Sequence, residues 1–114
     1  MDIEALYQRA FELRCEGDYP GALRLFQQIL ASDPRHIKSR HQVALIKGFL
    51  GDFDESLSEL EGLVREVPAN LDVRYDLAMT QMMLGNYEDA CGNLKYILER
   101  DPTHAKAIQQ ATYC

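Results

Sequence analysis

Apolar residues recur along this chain at steps of three and four. Leu23, Phe26, Ile29 and Leu30 form one stripe, and Leu57, Leu60, Leu63 and Val64 form a second. Leu94, Ile97 and Leu98 form a third. Side chains three or four apart share one side of a helix, so each stripe predicts a helix with a buried face. The stripes are in phase, because the chain repeats every 34 residues. Gly17-Asp18-Tyr19, Gly51-Asp52-Phe53 and Gly85-Asn86-Tyr87 mark one column, and Pro34, Pro68 and Pro102 mark another. Ala10, Ala44 and Ala78 keep the interval, as do Ala22, Ser56 and Ala90. So do Phe26, Leu60 and Leu94, and Ile29, Leu63 and Ile97.

Each column has a physical reason. Glycine tolerates the left-handed backbone that closes a helix, and the Asp or Asn after it suits a tight turn. The small columns let two helices approach closely, and proline ends each pair because it cannot continue a helix interior. The pattern predicts helices over about 3–16, 20–32, 37–50, 53–66, 71–84 and 87–100. A seventh begins near Ala105 and runs to the chain end. Pro20 falls in the first turn of the second helix, where proline is tolerated.

These residues resemble the tetratricopeptide repeat, whose pattern is W-x2-L-G-x2-Y, then A-x3-F, then P, over 34 residues. The match covers residues 3–104 as three repeats, 3–36, 37–70 and 71–104, with 105–114 as a partial or capping helix of one domain spanning 1–114. The late columns match well. The early ones drift: the tryptophan column holds Leu6, Arg40 and Arg74, the leucine column Arg9, Val43 and Leu77, and the tyrosine column Leu13, Lys47 and Gln81. The resemblance implies an all-α fold, a right-handed superhelix of antiparallel helix pairs. It also implies a concave groove, lined by the first helix of each pair, that holds a peptide segment of a partner protein. Stacked helix pairs build such surfaces.

On the family's geometry the groove is lined by Tyr7, Phe11, His41, Leu45, Phe49, Tyr75, Asp76, Met79 and Met83. Tyr7, Phe11 and Cys15 lie four apart on one helix face, as do His41, Leu45 and Phe49, and Tyr75, Met79 and Met83. Aromatic anchors dominate many binding energies, and methionine surfaces adapt to varied shapes. The competing reading is that these side chains pack between adjacent repeats. A further row, Glu4, Lys38, Asp72 and Lys106, alternates in sign and is expected to form a ladder of surface ion pairs, each contributing ~0–1 kcal/mol. One subset of the family grips the C-terminal carboxylate of cytosolic chaperones. Its clamp positions here hold Tyr7, Phe11, Gln42, Asp72 and Asp76, none of them a cation, so a chaperone tail is not expected to bind. If Asp72 and Asp76 face the groove, that end favours a Lys- or Arg-bearing ligand; the competing and favoured reading is a solvated acidic surface.

Composition narrows the function classes. Apolar residues make up 46% of the 114, enough to fold rather than remain disordered. A net charge of −6 argues against a nucleic-acid partner. No apolar run spans a bilayer, and the start Met1-Asp2-Ile3-Glu4 lacks a signal-peptide pattern. Cys15, Cys91 and Cys114 form no C-x-x-C pair, so they are read as free thiols of a reducing, cytoplasmic compartment. No metal-ligand spacing, nucleotide motif or catalytic constellation emerges, so neither cofactor nor enzymatic activity is expected.

The expected function is therefore a non-catalytic scaffold that binds a peptide in its groove. The alternatives are a self-association module, acting through the groove or the 105–114 end, and a substrate-binding or regulatory segment of a larger enzyme. Ala107, Ile108, Ala111 and Tyr113 leave apolar surface at that end, as expected of a fragment of a longer protein or of a contact with another molecule.

Overall fold

The computed structural model describes residues 2–114 and contains seven helices and no strand among them. None of these helices is long and apolar enough to cross a membrane. The chain divides into two compact units, one ending at Asp52 and the other running from Phe53 to Cys114.

The first unit holds α1 (Ile3–Cys15), α2 (Tyr19–Ser32) and α3 (Ile37–Phe49). Each begins where a polar side chain satisfies an otherwise orphaned N–H. Asp2 accepts from the Ala5 N–H at 3.2 Å and Asp18 from the Gly21 N–H at 2.9 Å. The third cap is His36, whose Nδ1 accepts from the Ser39 N–H at 3.2 Å and lies 2.7 Å from the Ser39 hydroxyl. Helix α1 stops at Gly17, whose φ of 87° only glycine adopts without strain. There the Asp18 N–H reaches back to the Leu13 carbonyl and the Gly17 N–H to the Arg14 carbonyl, at 2.9 and 3.0 Å. This double bond pattern is the Schellman stop, and it recurs at Gly51-Asp52 and at Gly85-Asn86. The Gly-Asp column is thus a chain of helix stops, as its spacing implies. Ala10 and Ala22 are fully buried where α1 and α2 meet, and Phe26, Ile29, Val43 and Ile46 complete the core.

The second unit holds α4 (Phe53–Glu66), α5 (Leu71–Met83), α6 (Tyr87–Arg100) and α7 (Ala105–Ala111). Ala78, Ala90, Leu94, Ile97 and Ala107 form a buried cluster, with Tyr75, Met79 and Met82 packed against it. Asn70 caps α5 by accepting from the Val73 N–H at 3.1 Å, and His104 Nδ1 caps α7 by accepting from the Ala107 N–H at 3.0 Å. The Asp101 carboxylate turns the chain before α7. It accepts from the Thr103 hydroxyl and N–H at 2.7 and 3.1 Å, and those bonds hold its carboxyl below the usual aspartate range.

The early family columns that depart from pattern are filled here by a polar network. The Arg74 guanidinium donates to Asn93 at 3.1 Å and lies 3.6 Å from the Tyr96 ring centre. Asn93 in turn donates to Gln81 at 2.8 Å. Arg74 and Gln81 replace the aromatic packing of those columns with hydrogen bonds and a cation–π stack. Arg100 stacks on Tyr96 as well, at 3.2 Å.

Two expectations are corrected. Cys91 and Cys114 are not free thiols but a disulfide, with Cα atoms 5.9 Å apart. Helix α7 packs on α6, and after Ala111 the chain turns back, with the Tyr113 and Cys114 N–H groups bonded to Gln110 and Ala111 carbonyls. That turn carries Cys114 to Cys91. A separation of 23 residues across two helices has no local motif to announce it. Cys15 alone is free, so the cysteine pattern no longer argues for a reducing compartment. The charge ladder is also altered. Lys38 Nζ lies 5.9 Å from the Tyr7 ring centre rather than pairing with Glu4, and Lys106 Nζ lies at the same distance from Tyr75.

Candidate functional site

In the first unit, helices α1 and α3 touch directly and present a common face. Tyr7 and Phe11, one turn apart on α1, stack with ring centres 6.3 Å apart. Tyr7 is half-buried and also meets the Phe26 ring edge-on at 5.7 Å, so it serves both the core and the face. His36, the cap of α3, lies 5.9 Å from the Tyr7 ring. One turn beyond Phe11, the Arg14 guanidinium sits over the Phe11 ring at 4.9 Å and the Phe49 ring at 5.8 Å. Phe49, at the end of α3, is 52% exposed and has Tyr19 beside it at 5.6 Å. Through Arg14 the structure brings Tyr7, Phe11 and Phe49 into one strip. His41 and Leu45 occupy α3 as half-buried residues.

Beneath this strip lies Gln42, only 8% exposed. It hydrogen-bonds Tyr7, yet its Oε1 has no partner, and neither has the buried Nε of Arg14. Burial pushes the Tyr7 hydroxyl above the usual tyrosine range, against smaller lowering effects of the Gln42 bond and of Arg14, while Glu4 adds a small push upward.

In the second unit the corresponding face belongs to α5 and α7. Tyr75 is half-buried, with the His104 ring at 5.7 Å and Lys106 over it. Burial and then the neighbouring Asp76 raise its hydroxyl. Met79 is half-buried against the core, whereas Met83 is 67% exposed. Asp76 is half-buried, and its carbonyl accepts from the Thr80 hydroxyl at 3.0 Å.

The two faces share a motif that the 34-residue period conceals. Tyr7, His36 and Lys38 recur as Tyr75, His104 and Lys106, two repeats later. In each copy the histidine caps a helix through Nδ1, touches the tyrosine ring and is followed by a lysine over that ring. Aligning every second repeat would have revealed it. Nothing in the sequence marks Arg14 as a site residue, because its position in a last turn reads simply as a cation favoured at a helix C-terminus.

Tyr7 and Tyr75 make a checkable pair. A phenol whose folded-state pKa is raised contributes stability that is complete below the ordinary tyrosine value and is lost as pH climbs through the raised value. In an absorbance titration, Tyr7→Phe and Tyr75→Phe are each expected to remove one late-ionising step from the profile of the six tyrosines. A profile whose late portion survives both substitutions contradicts the burial described here.

Comparison with known proteins agrees with this architecture. A family model described as tetratricopeptide repeat matches residues 50–111. No curated protein matches the chain by sequence. Among solved structures, residues 41 to the end of MamA from Desulfovibrio magneticus RS-1 are 24% identical, with a TM-score of 0.82, over 98% of this chain and 63% of that one. The chain therefore spans less than two thirds of that relative. The first tetratricopeptide repeat domain of Spaghetti (RPAP3), bound to the HSP90 peptide SRMEEVD, is 16% identical, with a TM-score of 0.85 over 97% of this chain and 88% of that one. A mutant O-GlcNAc transferase from Thermobaculum terrenum is 24% identical, with a TM-score of 0.87 over 96% of this chain but only 21% of the enzyme. At these identities the likeness is one of fold. With glycine-closed helix pairs in both units and a family model over more than half its length, the chain belongs to the tetratricopeptide repeat family.

Proposed function

We propose that this chain is a non-catalytic interaction scaffold that binds a peptide segment of a partner protein on the faces of its first helices. The residues are Tyr7, Phe11, His41, Leu45 and Phe49 in the first unit, and Tyr75, Asp76, Met79 and Met83 in the second. One observation carries the reading. Phe49 and Met83 are large apolar side chains left more than half exposed, on faces whose neighbouring aromatic residues are held in place by the core. An exposed anchor beside preorganised rings is what a hot spot requires. The neighbour bound to an HSP90 peptide supports the general mode and not the ligand. The chaperone-clamp positions hold Tyr7, Phe11, Gln42, Asp72 and Asp76, so a C-terminal chaperone tail is not the proposed partner.

The test is selection of binding peptides from a random display library on the wild-type chain, followed by titration against Phe49→Ala and Met83→Ala. Both side chains are exposed, so neither substitution should disturb the fold. We expect affinity to fall at least roughly tenfold, the scale of one hot-spot residue. Unchanged affinity in both variants would remove these faces from the account. A second reading, self-association through α7, rests on the exposure of Ile108 and Tyr113. Light scattering over a concentration series separates it: a dimer that survives Phe49→Ala and Met83→Ala but not Ile108→Ser favours that end.

A further inference from the structure

We propose that the α1–α3 face of the first unit receives an acidic peptide segment, whose side-chain carboxylates are held by Arg14 and Lys38. The proposal rests on the peptide-binding reading and narrows its ligand.

Arg14 is a cation without an anion. Its guanidinium lies against the Phe11 and Phe49 rings, its Nε is buried without a partner, and among the described residues no carboxylate pairs with it. Lys38, at the other end of the strip, lies over Tyr7 and likewise has no carboxylate partner among the described residues. Of the acids near Arg14 in sequence, Asp18 caps α2 and Glu16 forms no ion pair with it. Glu12 pairs with Arg9 at 3.5 Å, and Glu4 is close enough to raise Tyr7 slightly without pairing with either cation. Two cations thus flank a pair of stacked rings with no carboxylate from the described residues paired to either.

The physical case is one of complementarity. The Arg14 guanidinium lies only partly in solvent, where a charge-assisted bond to a ligand carboxylate is stronger than in bulk water. Two rings fix the plane of the Arg14 fork, so little side-chain freedom is lost when a carboxylate docks on its outer edge in bidentate fashion. Lys38 supplies a point charge for a second acid. The stacked Tyr7 and Phe11 rings between them fit an apolar residue. The recognised segment thus reads acid, apolar, acid, with its acids on side chains rather than at the chain terminus.

The experiment uses the whole chain and three synthetic peptides, titrated by calorimetry. The first is a blocked peptide, acetylated and amidated, with two glutamates flanking leucines. The second carries glutamines in their place, and the third is the glutamine peptide with a free C-terminal carboxylate. We expect the first to bind at least roughly tenfold tighter than the other two, to weaken as salt is raised, and to fall to the glutamine level with Arg14→Gln or Lys38→Gln. Circular dichroism verifies that both variants keep their helices. Equal binding of the first two peptides, untouched by Arg14→Gln, overturns the acidic ligand and leaves the peptide-binding reading standing. The same holds if none of the three binds while a display-selected peptide without acids does. Preference for the free terminus overturns the side-chain assignment. A dimer that Arg14→Gln disperses makes the occupant a second copy and overturns the peptide. If no peptide of any composition binds, both readings fall.

Discussion

Phe26→Ala is expected to cost about 3–5 kcal/mol of folding stability, the range for deleting a fully buried phenylalanine. Phe26 is completely inaccessible, meets the Tyr7 ring edge-on and sits among Ala10, Ala22, Ile29, Val43 and Ile46. The small alanines that let α1 and α2 approach also leave nothing able to move into the cavity. Domains of this size hold a total stability of about 5–15 kcal/mol, so the variant loses a large share of it. Chemical denaturation followed by circular dichroism should show the midpoint falling steeply with little change in slope. A loss below about 1 kcal/mol would mean that the α1–α2 core is not as described. Phe49→Ala, by contrast, removes a half-exposed ring and should leave the midpoint almost unmoved.

The second large effect concerns the Cys91–Cys114 disulfide. Closing a loop of 23 residues restricts the unfolded chain by about 3 kcal/mol in the chain-entropy account. The effect should be concentrated at α7, which has only seven residues and is too short to hold a helix by propensity alone. Reduction, or Cys91→Ser, is therefore expected to lower stability and to speed amide exchange first in residues 105–114. Ala107 is the one α7 residue buried in the core, and its amide gives the most direct readout. Exchange that is unchanged at Ala107 after reduction would show that packing alone retains the helix.

Much of the fold is legible in the sequence because its determinants are local. Gly17, Gly51 and Gly85 close α1, α3 and α5 by the same two backbone bonds, and with the proline and apolar columns they predict six helices to within about a residue, whereas the seventh stops at Ala111, short of the expected chain end. The alanine columns are legible for the same reason, since only a small side chain fits a close helix crossing.

The features that were not legible all depend on partners distant in the chain. Arg74 and Gln81 read as drift in family columns, and their meaning emerges only with Asn93 and Tyr96 across the helix pair. Cys91 and Cys114 meet because α7 is short and the chain turns back after it. At the candidate site, the period picks out Tyr7, Phe11 and Phe49, but not the cation that joins them. Arg14 carries no mark in sequence that separates it from any other arginine near a helix end. Lys38 is legible as a charge in a row of alternating sign, but the ring beneath its ammonium is invisible to a pattern of signs.

The first-helix faces are the proposed binding surface. The most direct measurement is a map of amide and side-chain chemical shifts as a display-selected peptide is titrated into the isotope-labelled chain. Saturable shifts are expected to centre on Phe11, Arg14 and Phe49 in the first unit or on Tyr75, Met79 and Met83 in the second, with α2 and α6 largely silent. Shifts centred on α2, α6 or the Cys91–Cys114 region, with those faces silent, would contradict this proposal.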